Sequence, residues 1–139
     1  MNIKGMLVEG VKEKFADEVH ETKMLNSVQL KIMEYFDAVG SSLKNEFDNA
    51  KSLNFELTPN DLTFLEIKIG DTGLRFVRQP DSILVNEILE NGKGRQYDTI
   101  CVLNKAVVTH LYSNTSFTSK VLDDYVQHIF KDYLSKASV

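Results

Sequence analysis

A chain of 139 residues, 42% apolar and 26% charged, can form one domain that buries about two-thirds of its unfolded surface, and it lies outside the disordered class. Its net charge of −4 is dispersed along the chain without a basic stripe, which argues against general binding to a phosphate backbone. The single cysteine, Cys101, excludes an internal disulfide and an all-cysteine zinc site.

The segment Met1 to Glu9 reaches an acid before an apolar run of signal-peptide length accumulates, and no stretch approaches the ~18–20 apolar residues of a membrane span. A cytoplasmic location and no membrane partner are therefore expected.

Ile3, Leu7, Val11, Phe15 and Val19 recur four apart, as on one face of a helix, with Lys12, Glu13, Lys14, Asp17 and Glu18 on the other side. The apolar spacing slips between His20 and Asn26, where Asn26 and Ser27 suit a helix start. A second helical pattern follows through Val28, Ile32, Phe36, Val39, Leu43 and Phe47. Its phase survives Gly40, so one helix is expected across the glycine, with a break there as the alternative.

Asn54 to Leu57 fits a short edge strand ended by the turn Thr58-Pro59-Asn60-Asp61. From Leu62 to Tyr112 the period is two, which predicts five strands. A hairpin tip at Asp71-Thr72 would pair Ile69 with Leu74 and Ile67 with Phe76, with Leu65 completing one apolar face. The next strand carries Ile83, Val85 and Leu89 against Leu84, Asn86 and Ile88, a pattern covered on both sides. Asn104-Lys105 would close a hairpin pairing Leu103 with Ala106, Cys101 with Val108, Thr99 with His110 and Tyr97 with Tyr112. Its other face is aliphatic, with Ile100, Val102, Val107 and Leu111. Ser113 to Ser119 reads as a polar loop leading to a final helix with a wide apolar stripe, Val121, Leu122, Tyr125, Val126, Ile129, Phe130 and Tyr133.

These elements predict a single α+β domain over residues 1–139. It has an N-terminal long helix or helix pair, an antiparallel meander of five to six strands and a C-terminal helix, with the helices on one sheet face.

Cys101 and His110 are diagonal neighbours in the last hairpin, with backbones roughly 7 Å apart. A thiolate–imidazole pair needs closer contact and a third group to orient the ring, and Asp98 has the wrong parity to supply it. The spacing therefore favours a small core side chain at Cys101. Asp17-x-x-His20 imitates the spacing of carboxylate-bridged metal bundles but has no second copy, so a solvated face and no metal are expected. Asn91-Gly92-Lys93-Gly94-Arg95 lacks both P-loop spacing and a following helix, so it reads as a turn and no cofactor is implied.

Tyr97, Thr99, His110 and Tyr112 form a polar-aromatic patch on one hairpin face. It would face a partner or ligand if open, and would lie under a helix otherwise. At the level of architecture alone, the layout is similar to small secretion chaperones and toxin-immunity proteins. The expected function is a non-catalytic protein-interaction module of that kind, binding a protein partner or a second copy. The alternative is a small-molecule binder or enzyme with a pocket between sheet and helices near Cys101 and His110.

Overall fold

The apolar row that starts at Leu25 docks the N-terminal helix onto the sheet. In the computed structural model, which describes residues 2–110 and 115–134, the chain enters as α1 (Ile3–Lys14) and α2 (Ala16–Ser42). They join through Phe15, whose φ of −107° and ψ of 13° depart from helical values. The helical hydrogen bonds nevertheless continue, from the Phe15 amide to the Val11 carbonyl and from the Val19 amide to the Phe15 carbonyl, each 3.0 Å. The break expected between His20 and Asn26 does not occur. The slip in apolar spacing marks a change of surroundings: α1 buries nothing, whereas Leu25, Val28, Ile32 and Phe36 are buried. Burying those four side chains contributes about 6–12 kcal/mol. Asn26, instead of capping a helix, accepts a 2.9 Å hydrogen bond from the Arg78 guanidinium, and Gln29 accepts a second at 3.1 Å.

The helix runs across Gly40 and ends two residues later, after which α3 (Lys44–Asn49) follows Leu43. A Cβ at Gly40 would stand 2.9 Å from the ring of Phe55. The glycine is thus where the first strand approaches the helix.

The sheet contains β1 (Leu53–Leu57), β2 (Thr63–Ile69), β3 (Thr72–Gln79), β4 (Ser82–Ile88), β5 (Gly94–Leu103), β6 (Ala106–Thr109) and β7 (Thr115–Ser116). All seven strands pair antiparallel in sequence order. The strand beyond the expected six is β7, two residues long and too short to show alternation. In the first hairpin Ile67 pairs with Leu74 and Leu65 with Phe76, not Ile69 with Leu74. Gly70, at φ +63°, allows a tighter turn. That shifts the register by two residues and leaves the same side chains on the same face. In the last described hairpin Asn104 and Lys105 both take positive φ, 52° and 64°, as a type I′ turn requires. The pairs Leu103–Ala106 and Cys101–Val108 are the expected ones.

Two irregularities decide what enters the core. Between Thr63 and Leu65 the register of β2 shifts, and between Val85 and Asn86 that of β4 with β5 shifts, leaving Phe64 and Tyr97 as the extra residues. A bulge residue joins its neighbour on one face. Phe64 and Leu65 are both fully buried. Leu65, Ile67, Leu74, Phe76, Ile83, Val85 and Ile100 form the sheet side of the core. α2 and α4 (Ser119–Ile129) cover that one face, α4 with Val121, Leu122, Tyr125 and Ile129. Phe76 sits at the centre, its ring 5.4 Å from Phe36, 6.1 Å from Phe64 and 6.3 Å from Tyr125. No helix among the described residues is long and apolar enough to cross a membrane.

The close approach at Gly40 makes a sign-specific prediction. Gly40→Ala should gain about 1 kcal/mol of helix propensity and lose more through crowding of Phe55, for a net destabilisation of about 1–2 kcal/mol in urea unfolding. Adding Phe55→Leu should remove the penalty; a Gly40→Ala variant more stable than the parent would show that Phe55 sets no constraint.

Candidate functional site

The last described hairpin carries Thr99 and Cys101 on β5 and His110 just beyond β6, all on the sheet face that the helices leave uncovered. His110 donates its amide hydrogen to the Thr99 carbonyl at 3.1 Å. The backbones are diagonal, yet the imidazole reaches across: Cys101 Sγ and His110 Nε2 lie 3.1 Å apart. Thr99 is half-buried and its hydroxyl accepts from the Gln96 amide at 2.7 Å, while His110 is exposed. Tyr112 lies outside the described residues.

Tyr97 does not join this group. The bulge turns it beneath α4, where its ring stands 5.7 Å from Tyr125 in a T-shaped arrangement and 5.2 Å from His128. Beside it Asp98 is buried and accepts hydrogen bonds from the Tyr125 hydroxyl and from the Thr99 amide, the latter at 2.7 Å. A carboxylate withdrawn from water needs such donors, because leaving it unsatisfied would cost several kcal/mol. The Asp98–Tyr125 bond therefore fixes α4 on the sheet. A second tie runs from the Tyr35 hydroxyl on α2 to Asp123 on α4 at 2.6 Å. Burial, followed by the bond to Asp123 and its charge, pushes the Tyr35 hydroxyl well above the usual tyrosine range.

Cys101 also borders a cleft of about 500 Å³ between α2 and the end of the sheet, shared with Glu18, Glu21, Thr22, Asp81 and Val102. Burial raises the thiol pKa, and the charges of Asp81 and Asp98 raise it further. A nucleophilic cysteine needs the opposite surroundings. His110 does not line this cleft, and no carboxylate among the described residues hydrogen-bonds to its ring. The pair therefore has the contact distance of a catalytic dyad without the electrostatics of one. Asp17, His20 and Glu21 are solvent-exposed, and no group of three or more metal-ligating side chains occurs among the described residues.

The other candidate is the N-terminal helix surface. Ile3, Leu7 and Val11 are 64%, 66% and 48% exposed, and Phe15 and Val19 continue the row at 43% and 51%. Met6 and Val8 flank it, also exposed. An isolated helix of this length is marginal in water, and Gly5 and Gly10 each cost it about 1 kcal/mol relative to alanine. The side chain of Asn2 caps the first turn by accepting from the Gly5 amide at 3.0 Å, which offsets about one of those glycines. Its other support is the continuation of the helical hydrogen bonds on either side of Phe15 into α2, which the core anchors. Single exposed apolar residues are ordinary, but a continuous row of several hundred Å² marks an interaction surface.

No protein-family model matches the chain, and comparison with curated proteins and with solved structures found no significant similarity. The site must therefore be argued from its own geometry.

At neutral pH, Cys101 should react with iodoacetamide more slowly than a free thiol, since burial and the charges of Asp81 and Asp98 raise its pKa. The rate should rise as pH is taken above the ordinary thiol range, and His110→Ala should leave the neutral rate unchanged. Fast neutral labelling abolished by His110→Ala would instead make the two an activated pair.

Proposed function

We propose that the protein is a non-catalytic interaction module, of the kind exemplified by small chaperones and immunity proteins, that binds a protein partner through the row Ile3, Leu7, Val11, Phe15 and Val19. The observation that carries this reading is that α1 contributes no side chain to the core while exposing every large apolar residue it has. A helix with two glycines and no packing of its own gains its stability from whatever covers that row. The charged residues beside it, among them Lys4, Glu9, Lys12 and Glu13, form the polar rim expected of a protein–protein contact.

A small-molecule site is the second reading, and it rests on the cleft beside Cys101. Glu18, Glu21 and Asp81 at its rim favour a cationic ligand over an anionic one. Burial and the charges of Asp81 and Asp98 raise the pKa of its thiol, which disfavours a nucleophilic role, so the cleft supports binding more readily than covalent catalysis.

Leu7→Asp combined with Val11→Asp separates these readings. The substitutions should leave the thermal unfolding of the folded body within about 0.5 kcal/mol of the parent, because neither residue packs in it. Native mass spectrometry of the full chain at cellular expression levels should find the parent in a complex heavier than 15.8 kDa and the variant at that mass. A parent found only at monomer mass, with a variant indistinguishable from it, would contradict the interaction reading.

A further inference from the structure

Building on that reading, we propose that the row is covered by a second copy of this chain, its helix running antiparallel across a two-fold axis at Val11. Seven apolar residues, Ile3, Met6, Leu7, Val8, Val11, Phe15 and Val19, are between 43% and 66% exposed. Together they present apolar surface on the order of several hundred Å² per copy, the size that marks an interaction site. A two-fold contact must be self-complementary, since one patch meets itself. About Val11 the apolar positions meet this condition: Ile3 opposes Val19, Leu7 opposes Phe15, and Val11 opposes its own copy.

The charges favour the same arrangement. Lys4 falls opposite Glu18, with Asp17 and Glu21 to either side, and Glu9 falls opposite Glu13 but between Lys12 and Lys14. A parallel, in-register pair would instead set Lys4 against Lys4 and Glu18 against Glu18, a destabilising pattern. It would also bring both folded bodies, which begin at Leu25, to the same end of the helix pair, whereas the antiparallel pair separates them. A lipid surface fits less well. Lys4, Lys12 and Lys14 are outnumbered by Glu9, Glu13, Asp17, Glu18 and Glu21 on the same segment, and membrane-surface helices carry a basic polar face.

Two measurements on the full chain test this. In sedimentation equilibrium the purified protein should have twice the 15.8 kDa monomer mass at micromolar concentration, and Leu7→Asp should weaken the association by about 100-fold or more, as loss of a central apolar contact does. Orientation is read by disulfide trapping in a Cys101→Ser background. When Ile3→Cys and Val19→Cys chains are mixed and oxidised, the mixed disulfide should exceed either self-disulfide by about ten-fold, because only opposed Cβ atoms can be bridged. A chain that stays monomeric at about 100 μM, far above a typical specific Kd, overturns the proposal. So does trapping dominated by the Ile3→Cys self-disulfide, which would signify a parallel pair. If the purified chain is monomeric but Leu7→Asp releases a different protein from its cellular complex, the second-copy proposal fails while the interaction module stands. If neither association occurs, both fail.

Discussion

The packing of two helices against one face of the sheet around Phe76 holds this fold together. Phe36 reaches the ring from α2, Tyr125 from α4, and Phe64 from the bulge in β2. Each contact comes from a different segment, so their mutual burial fixes how those segments sit. The sheet itself is a meander, in which every strand pairs with its sequence neighbours. Local hairpins build it without long crossovers, and the helices then close one side. The bond from Tyr125 to Asp98 gives α4 a polar anchor beside this apolar centre.

That arrangement divides the N-terminal helical segment into two parts with different roles. From Leu25 onward the helix faces the sheet and buries a residue at nearly every turn. Before Leu25 the sheet has ended, and the same near-continuous helix extends past it with its apolar row in water. The core thus positions an exposed helix without using it. The hairpin bearing Cys101 and His110 is scaffold on its aliphatic side. On its other side burial, followed by the charges of Asp81 and Asp98, raises the pKa of the thiol. These surroundings favour the proposed interaction through the uncovered helix over chemistry at the thiol.

Much of the fold could be read from the residues, because alternation and four-residue spacing follow directly from backbone geometry. Leu65, Ile67, Ile69, Leu74 and Phe76 share a face by parity, and a two-residue register shift does not alter that. The I′ hairpin was legible because Asn104-Lys105 lies between two alternating runs. The bulges were not. A single extra residue reverses the parity of everything beyond it on that strand, and only the adjacent apolar pair Phe64-Leu65 hints at one. Tyr97 leaves the exposed patch for this reason. The Cys101–His110 contact is not legible from the register, because backbone separation says nothing about the reach of an imidazole. The slip near His20 marks a change of environment, not a helix end: periodicity reports which face is apolar, not what covers it. The surplus of apolar surface at the N-terminus was visible in the sequence. Its exposure depended on where the sheet stops, which no local pattern encodes.

On the proposed reading α1 is stabilised by whatever lies on it, and amide hydrogen exchange tests this residue by residue. At micromolar dilution and again about a hundred-fold more concentrated, amides of residues 3–14 should gain protection with concentration as association saturates. Amides of β3 and β4 should exchange at the same slow rate throughout. Equal protection of residues 3–14 at every dilution would mean that α1 supports itself. An absence of protection at any concentration would mean that nothing in the purified protein covers it. Either result would contradict the account.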